Sequence, residues 1–543
     1  MKNTRRSCYN RREFLQKSAM GLLTGTLFPL SNCSESNLPN FSSIRRYHIS
    51  LSTSGLEKYP DIPAIIAKAG VTDIWLASFL YGRWYADPQK LKIVSKKLRE
   101  QYGFNTHIIN VPLGHPGNAL GGDEEDLLTK PPGHWKNACT IDGKLYSGTS
   151  IHSPAVKENI NALLRLQQNG FISVFLDDDF RIARYPCIIG GCFCENCRYD
   201  FLKQYGYSSS QWDLLIDSVN KRRVSDVLRS WIDFWDNRLY SMFLAMQKAA
   251  PKISLGIMVM YLGSEKAGIA LDRFKNVPFR VGELMFSDKS FTPIKGKTDE
   301  LFSSLFHRRF ANPDLAYSET TAFPNDALSG KNIAAKLTIS LLSDVRNTMF
   351  MSGLLPFPEN RWPYIAPAMK KNAELHDIIA GHVPKGPFKH YYGWESRLVG
   401  NDKPFSLFLA CGIPFEVVDS LPNTGWVFLS DEDAGAVEEN RLKPLGATLV
   451  SRAGNGTTNR HIITINETLK DLFALKKKII PRLIDTPYIA GDKAVVFAWY
   501  PDIKAGLLWN VNNYKESFTV MKNDKVVRII TIKSLDVELI RDI

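Results

Sequence analysis

Beyond residue 33 the sequence has no apolar run long enough for a helix to cross a bilayer, which excludes helical membrane spans from the body of the chain. It has no concentrated basic patch either. The net charge is +13, but residues 1 to 33 hold six basic groups against Glu13 alone, which leaves a diffuse excess near +8. Lysine runs such as Lys476-Lys477-Lys478 lie beside apolar helical residues and read as solvated faces, so no nucleic-acid partner is expected. The stretch from 386 to 490 shows no glycine-rich phosphate loop of the dinucleotide type, and no organic cofactor is expected there. Cysteine is scarce, eight in 543 residues, and four of the eight crowd into one short segment.

What is present begins with an address. Asn10-Arg11-Arg12-Glu13-Phe14-Leu15 fits a twin-arginine export signal, followed from Ala19 to Leu30 by an apolar stretch too short to span. Residues 1 to 33 are therefore read as a signal peptide and the mature protein as periplasmic. Leu30-Ser31-Asn32-Cys33 has the layout of a lipobox, with asparagine where a small residue is usual. A lipid on Cys33 would be the chain's one tie to a membrane.

The most informative segment is the apolar run Ile172, Val174, Phe175, Leu176, which ends on Asp177, Asp178 and Asp179. Carboxylates at the tip of a buried strand cost too much to desolvate unless they are paired, protonated or bound to a ligand. Cys187, Cys192, Cys194 and Cys197 follow at once. Four thiols so close together strain as disulfides but suit a tetrahedral structural zinc, with Cys139 as the alternative fourth ligand to Cys187.

Periodicity predicts eight strands: 47–52, 73–79, 105–111, 172–177, 254–261, 280–286, 315–319 and 348–354. Amphipathic stretches between them, such as 88–101, 155–168 and 331–347, predict helical crossovers. Eight βα units over residues 40 to 385 imply a closed (β/α)8 TIM barrel, with a doubly wound open sheet as the alternative. The chemistry of such a barrel sits where strands meet the loops that follow them. Glu319, ending Leu315-Ala316-Tyr317-Ser318-Glu319, would face the fourth-strand aspartates there. Glycoside hydrolysis needs two carboxyl groups flanking one bond. Trp84, Trp362 and Tyr261 are candidate sugar platforms, and His115, Arg181 and Glu283 candidate polar contacts.

An acidic cluster after the fourth strand, a C-x-C-x2-C knuckle soon after it and a seventh-strand glutamate together resemble the family 42 β-galactosidases of glycoside hydrolase clan A. In that family the fourth strand typically ends Asp-Asn-Glu-aromatic, where this chain reads Asp177-Asp178-Asp179-Phe180. The resemblance implies Asp179 as general acid/base, Asp178 as the substrate-contacting residue and Glu319 as nucleophile. It also implies a carbohydrate substrate, a retaining mechanism and a homotrimer. Aspartate is one methylene shorter than glutamate, which leaves an inverting reaction open. It leaves open as well an α-glycosidase scheme in which Asp177 or Asp178 attacks and Glu283 or Asp288 donates the proton, and a carbohydrate-binding protein without turnover.

The resemblance extends past the barrel. Residues 386–490 alternate short strands (414–418, 425–429) and helical runs (405–409, from 430) in a flavodoxin-like α/β pattern. Residues 491–543 alternate in strand fashion and predict a small β-sandwich.

Overall fold

The computed structural model describes residues 44–113, 131–177, 180–183, 187–259, 261–443, 445–454 and 462–543. The signal peptide, Cys33, His115, Asp178 and Asp179 lie outside the described residues.

The first sheet has nine strands, of which the short Arg83–Trp84 pairs antiparallel on the edge of one barrel strand and the other eight run parallel: β1 Arg46–Leu51, β2 Asp73–Leu80, β3 Asn105–Val111, β4 Ser173–Leu176, β5 Ser254–Val259, β6 Phe279–Val281, β7 Ala316–Thr321 and β8 Asn347–Met351. Each pairs with the next, and β1 pairs both with β2 (His48 opposite Asp73) and with β8 (Arg46 opposite Asn347), so the sheet closes into a barrel. The open-sheet alternative is excluded by that closure. Strand six is shorter than the expected run to Phe286.

Helices α1 Ile62–Ala69, α2 Pro88–Tyr102, α3 Ser153–Gln168, α4 Glu195–Tyr205, α5 Ser209–Asn220, α6 Asp226–Ala249, α7 Ile294–His307, α8 Gly330–Leu342 and α9 Trp362–Ile379 surround it. Their ends follow from local chemistry. In α2 the Asp87 carboxylate accepts the Gln89 amide, Pro88 occupies the first turn, and Gly103 leaves the helix at φ 76°.

Period-two alternation fills the barrel interior with Trp75, Ile109, Phe175, Met349 and Tyr317. Gly256 makes room for Phe175, because a Cβ there would lie 2.6 Å from the ring. Toward the N-terminal end the filling turns polar. Asp73 accepts from His107 (2.7 Å) and Arg46 (2.6 Å), while His48 Nδ1 accepts from Trp75 Nε1 (3.2 Å). Burial pushes the His48 imidazole down to about 4, so it sits there neutral.

A second, five-stranded parallel sheet follows: β9 Phe388–Tyr391, β10 Phe415–Val418, β11 Trp426–Leu429, β12 Thr448–Arg452 and β13 Ile462–Ile465. Its order is β10-β9-β11-β12-β13, the 2-1-3-4-5 order of flavodoxin-like folds. The expected helix at 405–409 is instead a 3-10 turn, Ser406–Ala410. Buried ion pairs tie this sheet to the barrel loops: Lys266 with Asp402, and Arg397 with Glu265. Two three-stranded antiparallel sheets at the C-terminus bury Val495, Phe497, Leu508, Phe518, Val520 and Ile540 in a core of their own, which makes the expected small sandwich.

Candidate active site

Inward positions at the C-terminal ends of β4, β6 and β7 bring three charged side chains together. Asp177 is the first residue past β4, Arg280 the middle residue of β6, and Glu319 the fourth residue of β7. Arg280 is fully buried, and its guanidinium ion-pairs with Asp177 while its Nε lies 3.6 Å from the Glu319 carboxylate. It crosses the Phe175 ring (5.7 Å to the centroid) and points a terminal nitrogen at each of two thioethers, Met349 (2.7 Å) and Met258 (2.8 Å). Burial pulls the guanidinium down from its ordinary value, and the Glu319 charge opposes that pull. Thr321, two residues along the same face of β7, donates its hydroxyl to Glu319 at 2.5 Å. Glu319 is thus held between a cation and a hydroxyl, an arrangement that fixes its rotamer.

Arg280 was not singled out from the sequence. The available signal was a lone charge inside the β-type run Phe279-Arg280-Val281, where a full charge needs a partner within the barrel.

Several residues expected at the mouth are engaged elsewhere. Glu283 lies behind the barrel wall, 2.7 Å from Lys336 of α8, which also bonds Glu300 of α7 at 3.1 Å. Burial raises the Glu283 carboxyl well above the ordinary range against the pull of Lys336. The Tyr261 hydroxyl donates to the Asp299 carbonyl (2.8 Å) on the same outer side. Strand parity explains both, because Arg280 faces inward and the next residue, Val281, faces the helices. Asp288 accepts from the Ser329 amide (2.9 Å) and from the Asn332 side chain (2.7 Å), pinning the start of α8. The strand-six acids of the α-glycosidase scheme are therefore committed to holding the fold. Trp362 is buried against Phe350, with centroids 5.6 Å apart. Trp84 is taken up by Phe79 (5.1 Å) and by the Arg165 guanidinium over its ring (4.5 Å). Arg181 is buried in the loop after β4 and donates Nε to the Ala183 carbonyl at 3.3 Å. Phe323, just past β7, is 37% exposed and is the aromatic left open to solvent nearest Glu319 in sequence.

The thiols divide. The sulfurs of Cys192, Cys194 and Cys197 lie within 4.8 Å of one another. The Cys139 backbone amide donates to Cys192 Sγ (3.3 Å) and its carbonyl accepts the Phe193 amide (2.9 Å), which seats the Asn137–Cys139 strand against this trio. Ser150 Oγ and Arg238 approach Cys197 at 3.6 and 3.9 Å. Cys187 is turned away at φ 68° and faces the buried Asp402–Lys266 pair; burial pushes its thiol up to about 11. Cys139 touches the trio through its backbone, while its own sulfur lies outside that 4.8 Å group and approaches the Thr140 carbonyl at 3.5 Å.

No family model matches the sequence, and no curated protein does. Solved structures do. The chain is similar to a β-galactosidase from Bacillus circulans sp. alkalophilus at 10% identity and a TM-score of 0.58, over 92% of this chain and 99% of that one. It is similar to a catalytic mutant of a GH42 β-galactosidase from G. stearothermophilus at 10% identity and a TM-score of 0.57, over 92% and 98%. A cold-adapted β-galactosidase from Rahnella sp. R3 matches at 10% identity and 0.56, again over 92% and 98%. At such identity the likeness is one of fold: this chain has the architecture of the GH42 β-galactosidases, a parallel (β/α)8 barrel carrying further sheet domains.

Proposed function

We propose that the protein is an exported glycoside hydrolase acting on oligosaccharide or polysaccharide fragments, with Glu319 as nucleophile and Asp179 as acid/base. The observation that carries this reading is the meeting of Glu319 with Asp177 around Arg280 inside a barrel of glycosidase architecture. Glu319, positioned by Arg280 and Thr321, attacks the anomeric carbon. Asp179, two residues beyond the Arg280-bound Asp177, protonates the leaving oxygen and then activates the water that releases the sugar. Asp177 is tied to Arg280 and serves the site by holding that cation, while Asp178 contacts the sugar and Phe323 offers an aromatic face to its apolar side. β-Galactoside cleavage is the specificity the neighbours' names suggest, and a homotrimer is the assembly that the family resemblance implies.

We propose a structural zinc at the trio Cys192, Cys194 and Cys197, with Cys139, whose backbone amide reaches Cys192, turning its sulfur in as the fourth thiolate. Four thiolates leave no open position for water, so the metal would contribute stability rather than chemistry. Arg238 would offset part of the excess negative charge. Export by the twin-arginine route would let the protein load this metal before crossing the membrane.

The test is a screen of the protein against aryl glycosides and plant and microbial glycans beside Glu319→Gln. Turnover in the parent that is lost in the folded variant supports the reading and names the sugar. Silence of the parent across the panel, with sugar binding still seen by calorimetry, would replace it with a binding protein.

A further inference from the structure

The N-terminal end of the barrel holds a second group of chemically capable side chains. His48 of β1, Asp73 of β2 and His107 of β3 share the inward face, because the strand register sets His48 opposite Asp73 and the inward Trp75 opposite His107. One ligand atom from each of the three lies within 4.8 Å of the other two. Two imidazoles and one carboxylate at that separation are a donor set for a first-row divalent cation such as Zn2+, with the remaining positions left to water.

The hydrogen bonds around the trio aim its lone pairs. Asn347 donates Nδ2 to the carbonyls of Asp314 (3.0 Å) and Ala316 (3.1 Å), which turns its Oδ1 toward His48 Nε2 at 3.3 Å. His48 therefore carries its proton on Nε2, and its Nδ1 lone pair faces Trp75 Nε1 (3.2 Å) and Asp73 Oδ2 (3.9 Å). A metal-bound imidazole is held in this way, with its second nitrogen on an oriented acceptor. Across the carboxylate, His107 Nε2 lies 2.7 Å from Asp73 Oδ1, while its Nδ1 has no hydrogen-bond partner among the described residues. The ring can move its proton to Nδ1 and present Nε2 to a metal. The Thr72 hydroxyl donates to Asp73 Oδ2 at 2.6 Å and steadies the carboxylate.

Arg46 competes for the same oxygens. Its Nη2 lies 2.6 and 2.8 Å from the two carboxylate oxygens of Asp73. The Arg46 side chain is 49% exposed, whereas that of Asp73 is fully buried, so the cation that can leave is the arginine. His107 is 19% exposed, which opens the trio to the N-terminal face of the barrel.

We propose that His48, Asp73 and His107 form a binding site for a divalent cation of the zinc class, which displaces Arg46 from Asp73. The site joins three adjacent strands at the end of the barrel opposite Glu319, so the metal ties β1, β2 and β3 together and takes no part in turnover. The inference depends neither on the glycosidase reading nor on the cysteine trio.

The experiment is a calorimetric titration of Zn2+ into the full chain already loaded with one equivalent of the metal. Carbethoxylation of His107 by diethyl pyrocarbonate, read by peptide mass spectrometry, is followed over the same concentrations. That footprint belongs to His107 alone and does not respond to metal on the cysteines. One further equivalent of Zn2+ should bind and suppress the modification of His107 in step. His107→Gln should weaken this binding at least roughly tenfold, and Arg46→Met should strengthen it by roughly the same factor because the competing cation is gone. No further uptake of Zn2+, a His107 footprint that Zn2+ leaves unchanged, or weaker binding in Arg46→Met would overturn the site.

Discussion

Replacing Arg280 by methionine keeps most of the stem volume and removes the positive charge from between Asp177 and Glu319. Both carboxylates are nearly buried, each 4% exposed, and Arg280 is completely so. Removing one partner of a buried ion pair typically costs about 3–5 kcal/mol, since an uncompensated charge remains in a poorly solvated place. Arg280 serves two carboxylates, so the upper part of that range, about 4–5 kcal/mol, is expected at pH 8. The cost depends on pH in a definite direction. Without the cation, the folded carboxylates hold protons more tightly than the unfolded ones, so the variant loses stability as pH rises through the carboxylate range. In acid, where both are protonated, the difference from the parent shrinks. Guanidinium unfolding followed by tryptophan fluorescence reads this in the barrel, where Trp75 packs 4.5 Å from Phe175 beside the cluster. A second substitution, Asp177→Asn, should recover part of the loss by removing one of the stranded charges. Equal stability of Arg280→Met and parent at pH 8, or the same loss at pH 4.5 and pH 8, would refute the charge argument.

Other expectations follow from the same geometry. Cys194→Ser should lower both bound zinc and thermal stability, whereas Cys187→Ser should leave the metal content, read by elemental analysis, unchanged; the reverse pattern would return Cys187 to the site. Lys336→Met should destabilise the fold by about 3–5 kcal/mol because it strands Glu283 and Glu300, yet the protein that folds should keep its turnover. Asp433 is buried, and burial pushes its carboxyl up to about 7 although the Ser396 hydroxyl and Gly393 amide donate to it. Its folded value lies above the unfolded one, so its contribution is full in acid and is lost as pH rises from about 4 to 7. Asp433→Asn should therefore raise the melting temperature at pH 8 relative to the parent and change it little at pH 4; a larger gain in acid would contradict the assignment.

The barrel was legible because each strand is an apolar run bounded by turn residues and separated by a helix-length amphipathic stretch. That pattern survives any detail of side-chain direction. The site was legible only in part, because direction decides it. Glu319 and Glu283 both end β-type runs and look alike in sequence, but one points into the barrel and the other toward Lys336, and a single residue of register separates the two outcomes. Tyr261 was misjudged for the same reason. Arg280 was missed because an arginine in a strand ordinarily reads as solvent-facing, and only the closed barrel, with acids on β4 and β7 reaching inward, gives it partners. Cys187 fitted the spacing of the knuckle, yet its left-handed backbone turns the sulfur toward Asp402. Spacing alone does not encode that turn.

If Glu319 attacks the anomeric carbon, a glycosyl group can be trapped on its carboxylate. The protein would be treated with activated 2-deoxy-2-fluoro galactosides, glucosides, fucosides and arabinosides and its peptides mapped by mass spectrometry. One glycosyl group on the peptide carrying Glu319, absent from Glu319→Gln, is the predicted result. A label on Asp177 or on any other carboxylate would contradict it, as would turnover of a glycoside that survives in Glu319→Gln.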